Sequence, residues 1–443
     1  MSTFQPVTES AASEPVSESD LVHYFHDGAK PRDRWRVGAE FEKFLLDRTT
    51  GRAVSHDEPG GVGEVLQALA DNFGWQVKST GSRVVLLARG GSSVSIEPGG
   101  QVEFSTPAVA KLADLAAEFD RHTAELKAVI DPTRRAWVAA GVTPFTRVED
   151  IPSPVRRRHR RMAEILPARC ETADHMMKAT ASTQAAFDYS DEADAVRKLT
   201  VALALGPVVN AVWGNSPLYG GEPSGWVSYR GRVWLGMDAD RSGLLTGLLA
   251  DGLSFERWTN YLLDVPMLFV VDGRDYRPVG DRTFRQYLAR GIDGRFPTRT
   301  DWEVHITTVF PEARLKQFIE VRGADANPPP LALAVPAMWK GLFYSDTALS
   351  AAVDVAKRFP PGELCGLFEA VARKGLAAEF AGRSVREWAK EVADLAAAGL
   401  PPDEQRFLDP VFAVLAEGRS PGMGWDGRGP LTPAQVLPKF EYT

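Results

Sequence analysis

The sequence predicts an α+β fold built on a mainly antiparallel sheet. Helical and extended patterns follow one another without the regular βαβ alternation of a doubly wound sheet. Several extended segments alternate apolar with polar residues, as half-buried antiparallel strands do. After Asp325 the chain turns Ala-, Leu- and Glu-rich, so that Val353 to Glu417 reads as largely helical.

Met1 to Glu18 is rich in Ser, Thr, Glu and Pro and lacks the basic start and apolar centre of a secretory signal, so it reads as a disordered tail. From Ser19 a helical pattern (Leu21, Tyr24, Phe25) leads to a break at Gly28 to Pro31 and then to a strand over Trp35 to Leu46. Helices are predicted over Val62 to Phe73 and Leu112 to Ile130, and between them a hairpin turns at Pro98-Gly99-Gly100. Further strands are expected at Met177 to Tyr189, Trp226 to Trp234, Met267 to Val271 and Phe318 to Arg322. Residues 19–435 form one domain, helix-rich from about 330, and 436–443 are a C-terminal tail.

With 44% hydrophobic and 25% charged residues, the 443-residue chain can bury a sizeable core. Its net charge of -7 disfavours non-specific binding to nucleic acid or anionic membrane and points to small-molecule partners. The run Arg156 to Arg161 has no aromatic interleaving and reads as a solvated helix face. The longest apolar stretch, Val201 to Trp213, is broken by Asn210 and falls short of the roughly 20 residues that span a bilayer, so no membrane segment is expected. Cys170 and Cys365 are the only cysteines, which fits a reducing cytoplasm. Neither a Walker A sequence nor a dinucleotide fingerprint is present, so any ATP site must use another architecture.

Chemistry enters through the polar strand faces. In Val37 to Glu42, alternation puts Glu40 and Glu42 on one face and Val37, Ala39 and Phe41 on the other. Glu97 and Glu103 likewise face away from the apolar side of the hairpin, and Glu320 and Arg322 away from Ile319 and Val321. Carboxylates two apart on a strand lie roughly 6–7 Å from each other and repel by about 2–3 kcal/mol at an effective dielectric near 20, so water or cations must screen them. One such strand alone is ordinarily a solvated sheet face. Five carboxylates recurring with Arg322 and the Gly99-Gly100 pair are also the hard oxygen donors and guanidinium that magnesium-nucleotide chemistry uses. The glycine pair itself reads as a tight hairpin turn.

These residues sit in segments that resemble the plant and proteobacterial glutamate-cysteine ligases: RVGAEFEKF at 36–44, SIEPGGQVEFSTP at 95–107, FDYSDEADAVRKL at 187–199, NSPLYGGEPSGWVSYRGRVW at 215–234, DADRSG at 238–243 and DWEVHITTVFPEARLKQFIEVRGAD at 301–325. The resemblance runs collinearly over roughly residues 19 to 435. It implies a glutamine synthetase-like catalytic domain, with a curved antiparallel sheet forming a funnel and helices outside. It also implies a soluble, cytoplasmic enzyme, a monomer or weak homodimer, that uses ATP and Mg2+ to phosphorylate the glutamate γ-carboxylate before the cysteine amine displaces phosphate. That product, γ-glutamylcysteine, begins glutathione biosynthesis.

By motif position, the resemblance makes Glu40, Glu42, Glu97, Glu103 and Glu320 the catalytic magnesium ligands. It places Arg230 on the substrate α-carboxylate with Arg241 as a second candidate, Gln184 beside the metal cluster and Arg158 in contact with substrate. Arg314, Lys316 and Arg322 would face the ATP phosphates, while His305, on a mixed strand, is read as structural.

Two departures stand out. After Met176-Met177 the family has an arginine where this chain has Ala179, and Lys178 cannot simply replace it, because neighbouring strand residues point to opposite faces. The cysteine pair of the plant regulatory disulfide is absent around Tyr276 to Phe296. Ligases that make the same dipeptide for ergothioneine also lack the arginine. Three readings follow: the glutamate-cysteine ligase, a related ligase with another amine acceptor, and a non-enzymatic homologue, against which the retention of all five acids argues.

Overall fold

The computed structural model describes residues 14–78, 83–273, 275–425 and 429–442. Among these, nine strands form one sheet: β1 (Val37–Asp47), β2 (Gln76–Val77), β3 (Leu86–Arg89), β4 (Ser92–Ile96), β5 (Val102–Ser105), β6 (Arg135–Val138), β7 (Ser182–Phe187), β8 (Ala313–Leu315) and β9 (Ile319–Asp325). Their order is β8-β9-β7-β1-β5-β4-β3-β2, with β6 pairing the far end of β1, and every pairing is antiparallel. The sheet is not closed.

One face of this sheet is apolar because of alternation. Ala39 and Phe41 of β1, Val94 and Ile96 of β4, Val102 and Phe104 of β5, and Ile319 and Val321 of β9 are all buried. Helices α3 (Leu112–Ala128), α5 (Glu192–Asn210) and α8 (Leu331–Phe343) pack on the sheet. Every residue of α8 is buried, and α9 (Val385–Gly399) covers its other side. By length and composition, the run from Glu192 to Trp213 would suffice to cross a membrane, but 78% of its apolar window is buried inside the fold, so it serves as a core helix.

Predicted elements match closely at β1, the β4–β5 hairpin, β9 and helix α2 (Val62–Phe73). Four expectations are corrected. The strand expected from Met177 starts only at Ser182, because His175–Ala179 forms a π-helical turn. The strand expected over Trp226 to Trp234 is instead helix α6 (Tyr229–Leu235), started by Ser228, whose side chain accepts the Gly231 N–H. His305 lies on helix α7 (Arg299–Ile306) rather than a strand, its Nε2 bonded to the Leu262 carbonyl at 2.7 Å, as a structural histidine. The C-terminal stretch is no tail: α10 (Pro433–Phe440) buries Val436, Leu437 and Phe440, and Tyr442 follows them into the core.

At the other end, residues 1–13 of the expected tail lie outside the described residues. Val16 already bonds the Pro297 carbonyl, and α1 (Glu18–His26) starts at a Ser17–Asp20 capping box.

Candidate active site

The polar face of the sheet forms a cavity wall, and the strand register sets its order. Glu40 stands opposite Ser105 on β5 and Gln184 on β7, and Glu42 stands opposite Glu103. Glu103 is in turn opposite Ser95. On the other side β9 carries a register shift between Val321 and Ala324, which turns Arg322 toward Gln184, whose Oε1 accepts its Nη1 at 2.6 Å. Glu40, Glu42, Glu97, Glu103, Gln184, Arg314 and Arg322 all line the cavity.

Glu97 follows β4 in the hairpin turn. Gly100 takes a left-handed φ of 87°, and a side chain on Gly99 would meet the Lys178 carbonyl at 1.9 Å. The turn is therefore pressed against the π-helical turn, and the Gln101 amide ties them by donating to the Thr180 carbonyl at 2.7 Å. The glycine pair serves this close backbone packing.

One end of the wall is acidic and under-compensated. Burial, then the charge of Glu97, pushes the Glu42 carboxyl up to about 7, although Ser182 donates to it through its backbone N–H at 2.6 Å. Glu103 is raised well above the usual range by burial and by Glu40, Glu97 and Glu42. Burial also raises Glu97. Glu40, only 7% exposed, is raised by burial and by Glu320, and its buried Oε1 has no hydrogen-bond partner among the described residues.

The other end is compensated. Glu320 accepts from Arg314 Nε at 2.8 Å, pairs with Lys316, and has Arg322 at 3.7 Å. Burial favours its neutral form, but Arg314, Lys316 and Arg322 outweigh that and hold it far below the usual carboxylate range. Burial in turn lowers Lys316 to about 8 and Arg322 to about 10.

Among the described residues, no three acidic or sulfur and imidazole donors close into a preformed metal cluster. The donor chemistry nevertheless fits magnesium at the acidic end: hard carboxylate oxygens, one of them orphaned, raised by burial and, for Glu42 and Glu103, by neighbouring carboxylates. Glu320 is placed differently: its oxygens are engaged by cations, and neither it nor Lys316 is among the cavity-lining residues described.

The expected arginines divide. Arg230, on α6, lines the cavity, but donates through Nη1 to the Gly323 carbonyl at 2.9 Å and through Nη2 to the Arg322 carbonyl at 2.8 Å. Its fork is thus partly engaged by the irregular stretch of β9. Arg158, on α4 (Arg157–Ile165), lines the cavity while bonding Thr307 Oγ1 at 2.6 Å. The basic run is therefore two-faced, with Arg158 and His159 turned inward and Arg157 and Arg160 exposed. Arg241 is fully buried, held by Asp238 and the carbonyls of Thr308 and Pro266, and is not among the cavity-lining residues described.

Ala179 is buried with Val142 and Ile151 against Tyr219 and Tyr229. Lys178 reaches Asp174 at 3.5 Å. Sequence reasoning missed Trp234, Met162, Met176 and Phe310 as wall residues. Helical spacing would have found two of them, because Trp234 and Met162 sit four residues after Arg230 and Arg158.

An antiparallel sheet backed by helices, with acidic and cationic clusters side by side on its open face, is the architecture expected of a carboxylate-amine ligase of glutamine synthetase-like fold. The solved glutamate-cysteine ligase of Francisella tularensis, in complex with AMP, shares that fold: it is 12% identical, with a TM-score of 0.53 over 87% of this chain and 82% of its own. Residues 36–423 match the family model described as glutamate-cysteine ligase family 2, and the chain belongs to that family. The chloroplastic glutamate-cysteine ligases of Brassica juncea and Arabidopsis thaliana are each 36% identical over 424 residues, covering 94% of this chain and 82% and 81% of theirs. Ligase A of Oryza sativa subsp. indica is 35% identical over the same length.

Proposed function

We propose that this ligase makes γ-glutamylcysteine from glutamate, cysteine and ATP with magnesium, through a γ-glutamyl phosphate. The observation that carries the reading is the juxtaposition on one wall of the under-compensated Glu40, Glu42, Glu97 and Glu103 with the cations Arg314 and Arg322. Transfer of the ATP γ-phosphoryl group to the glutamate carboxylate, and attack of the cysteine amine on the acyl phosphate, both gather negative charge on oxygen. Arg322 and Arg314, with Lys316 behind them, are placed to offset that charge on the phosphates. Glu40, Glu42, Glu97 and Glu103 would hold magnesium, which when bound neutralises phosphate charge. Glu320 contributes by holding Arg314 and Lys316. Arg230 retains N–H groups beyond those bonded to the irregular stretch of β9, and these can meet the glutamate α-carboxylate in the cavity that Gln184 and Arg158 also line.

A second acceptor amine remains a distinct reading, because Ala179 stands in an apolar cluster where the family has an arginine. ADP release measured with glutamate and a panel of amines decides between them. Cysteine should give the highest kcat/KM; ADP release with another amine but not with cysteine would transfer the assignment to that amine.

A further inference from the structure

We infer that Asp325 is a positioning residue that aims Arg230 and Arg322 into the cavity without itself touching substrate. Asp325 closes β9 just past its register shift, is 2% exposed, and is not among the cavity-lining residues described. Its Oδ2 accepts the Asn215 N–H at 2.8 Å and the Ser216 hydroxyl at 2.7 Å, and its Oδ1 accepts the Ser228 hydroxyl at 2.9 Å.

A hydroxyl has a single proton, so one that donates to a carboxylate can only accept from its other neighbours. Both serines do so at the start of α6: Ser216 Oγ accepts the Arg230 N–H at 3.1 Å and Ser228 Oγ accepts the Gly231 N–H at 3.0 Å. One carboxylate thus fixes the polarity of two hydroxyls that cap the first turn of the helix carrying Arg230.

From there the order passes to the wall. Arg230 clamps the carbonyls of Arg322 and Gly323, Arg322 donates to Gln184, and the Gln184 amide reaches Glu42 Oε1 at 3.4 Å. The packing has no slack: a side chain on Gly141 would come within 2.3 Å of the Asp325 carboxyl carbon, and one on Gly323 within 1.8 Å of Asn210 Nδ2. Asparagine at 325 keeps one oxygen and presents an NH2 group in place of the other, so one of the two serine hydroxyls meets a donor where it needs an acceptor and is free to turn away from the helix.

The inference rests on the reading that Arg230 grips the glutamate α-carboxylate, and a double-mutant cycle tests it. Asp325→Asn should raise the KM for glutamate about tenfold with a smaller change for ATP; in an Arg230→Lys background the same change should add less than about threefold, since the fork it organises is already gone. A purely structural role predicts full multiplication of the two effects, or a parallel fall in every kinetic constant with loss of folded protein, and either result overturns the inference. If Asp325→Asn does not fold, Ser228→Ala replaces it in the same cycle with the same two outcomes. A wild-type enzyme that ignores glutamate would sink the substrate reading alone, because the cycle can be run with whichever acid the wild type accepts.

Discussion

Two regions of one sheet face, the acidic cavity wall and the cation-rich strand pair beside it, hold the same kind of side chain in opposite states. Glu103 and Glu320 both project from antiparallel strands of one sheet onto one face. Glu103 faces Glu42 directly across a strand pair, where Cβ atoms lie about 4.5–5.5 Å apart and like charges repel by roughly 3 kcal/mol at a dielectric near 20. Glu320 faces Arg314 across its own pair and holds Lys316 as well. An acid raised by burial and by its acidic neighbours is poised to take up cations; an acid already neutralised serves to orient the cations around it. The difference teaches that residue type on a polar strand face does not define a role until the cross-strand partner is known.

The sharpest way to break this comparison is to neutralise each acid in turn. Glu103→Gln should cut ADP release more than about a hundredfold, ~2.7 kcal/mol of transition-state stabilisation, while thermal melting in the absence of magnesium stays level or rises as repulsion is relieved. Retention of near wild-type turnover at saturating magnesium would remove the acidic end from catalysis.

Glu320→Gln should move stability the other way. It strands Arg314 and Lys316 in a buried site, a loss of about 3–5 kcal/mol that denaturant unfolding would register. Equal stability for the two variants would erase the contrast between the two regions.

The smallest effect is a pH slope. Glu42 holds its proton up to about 7 in the folded protein against 4.5 for the free side chain, so the folded state binds more protons between those values. Its contribution to stability therefore falls as pH rises from about 4.5 to about 7. Glu42→Gln removes that slope, so its melting temperature should gain on the wild type across the window, reaching an advantage of roughly 1–3 kcal/mol at pH 7 in chelator. Excess magnesium should shrink the gap, and a pH-independent difference would mean that Glu42 is not strained.

Much of the wall was legible beforehand. Period-two alternation alone put Glu40 and Glu42 on the polar face, Glu103 with them and Glu320 beside Arg322, since a strand allows a side chain only two directions. The segment around Arg230 reads locally as a strand because Trp, Val and Tyr favour strands, whereas in the fold it is a helix capped by Ser228, whose hydroxyl is held by Asp325 from 97 residues away. The stretch from 436 reads as a tail because its short apolar set finds its partners in tertiary packing, against β6, Trp425 and Phe119.

By itself, the sequence determined the α+β class, the strand faces, the ligase family and the acids that could matter, all of which follow from local periodicity and collinear motifs. Tertiary structure alone decided which acid meets an acid and which meets a cation, that Arg241 stays in the core, and that Arg230 shares its fork with the backbone of β9. Those outcomes depend on strand register and on partners distant in the chain, and a charge takes its chemical state from whatever lies within a few ångströms of it.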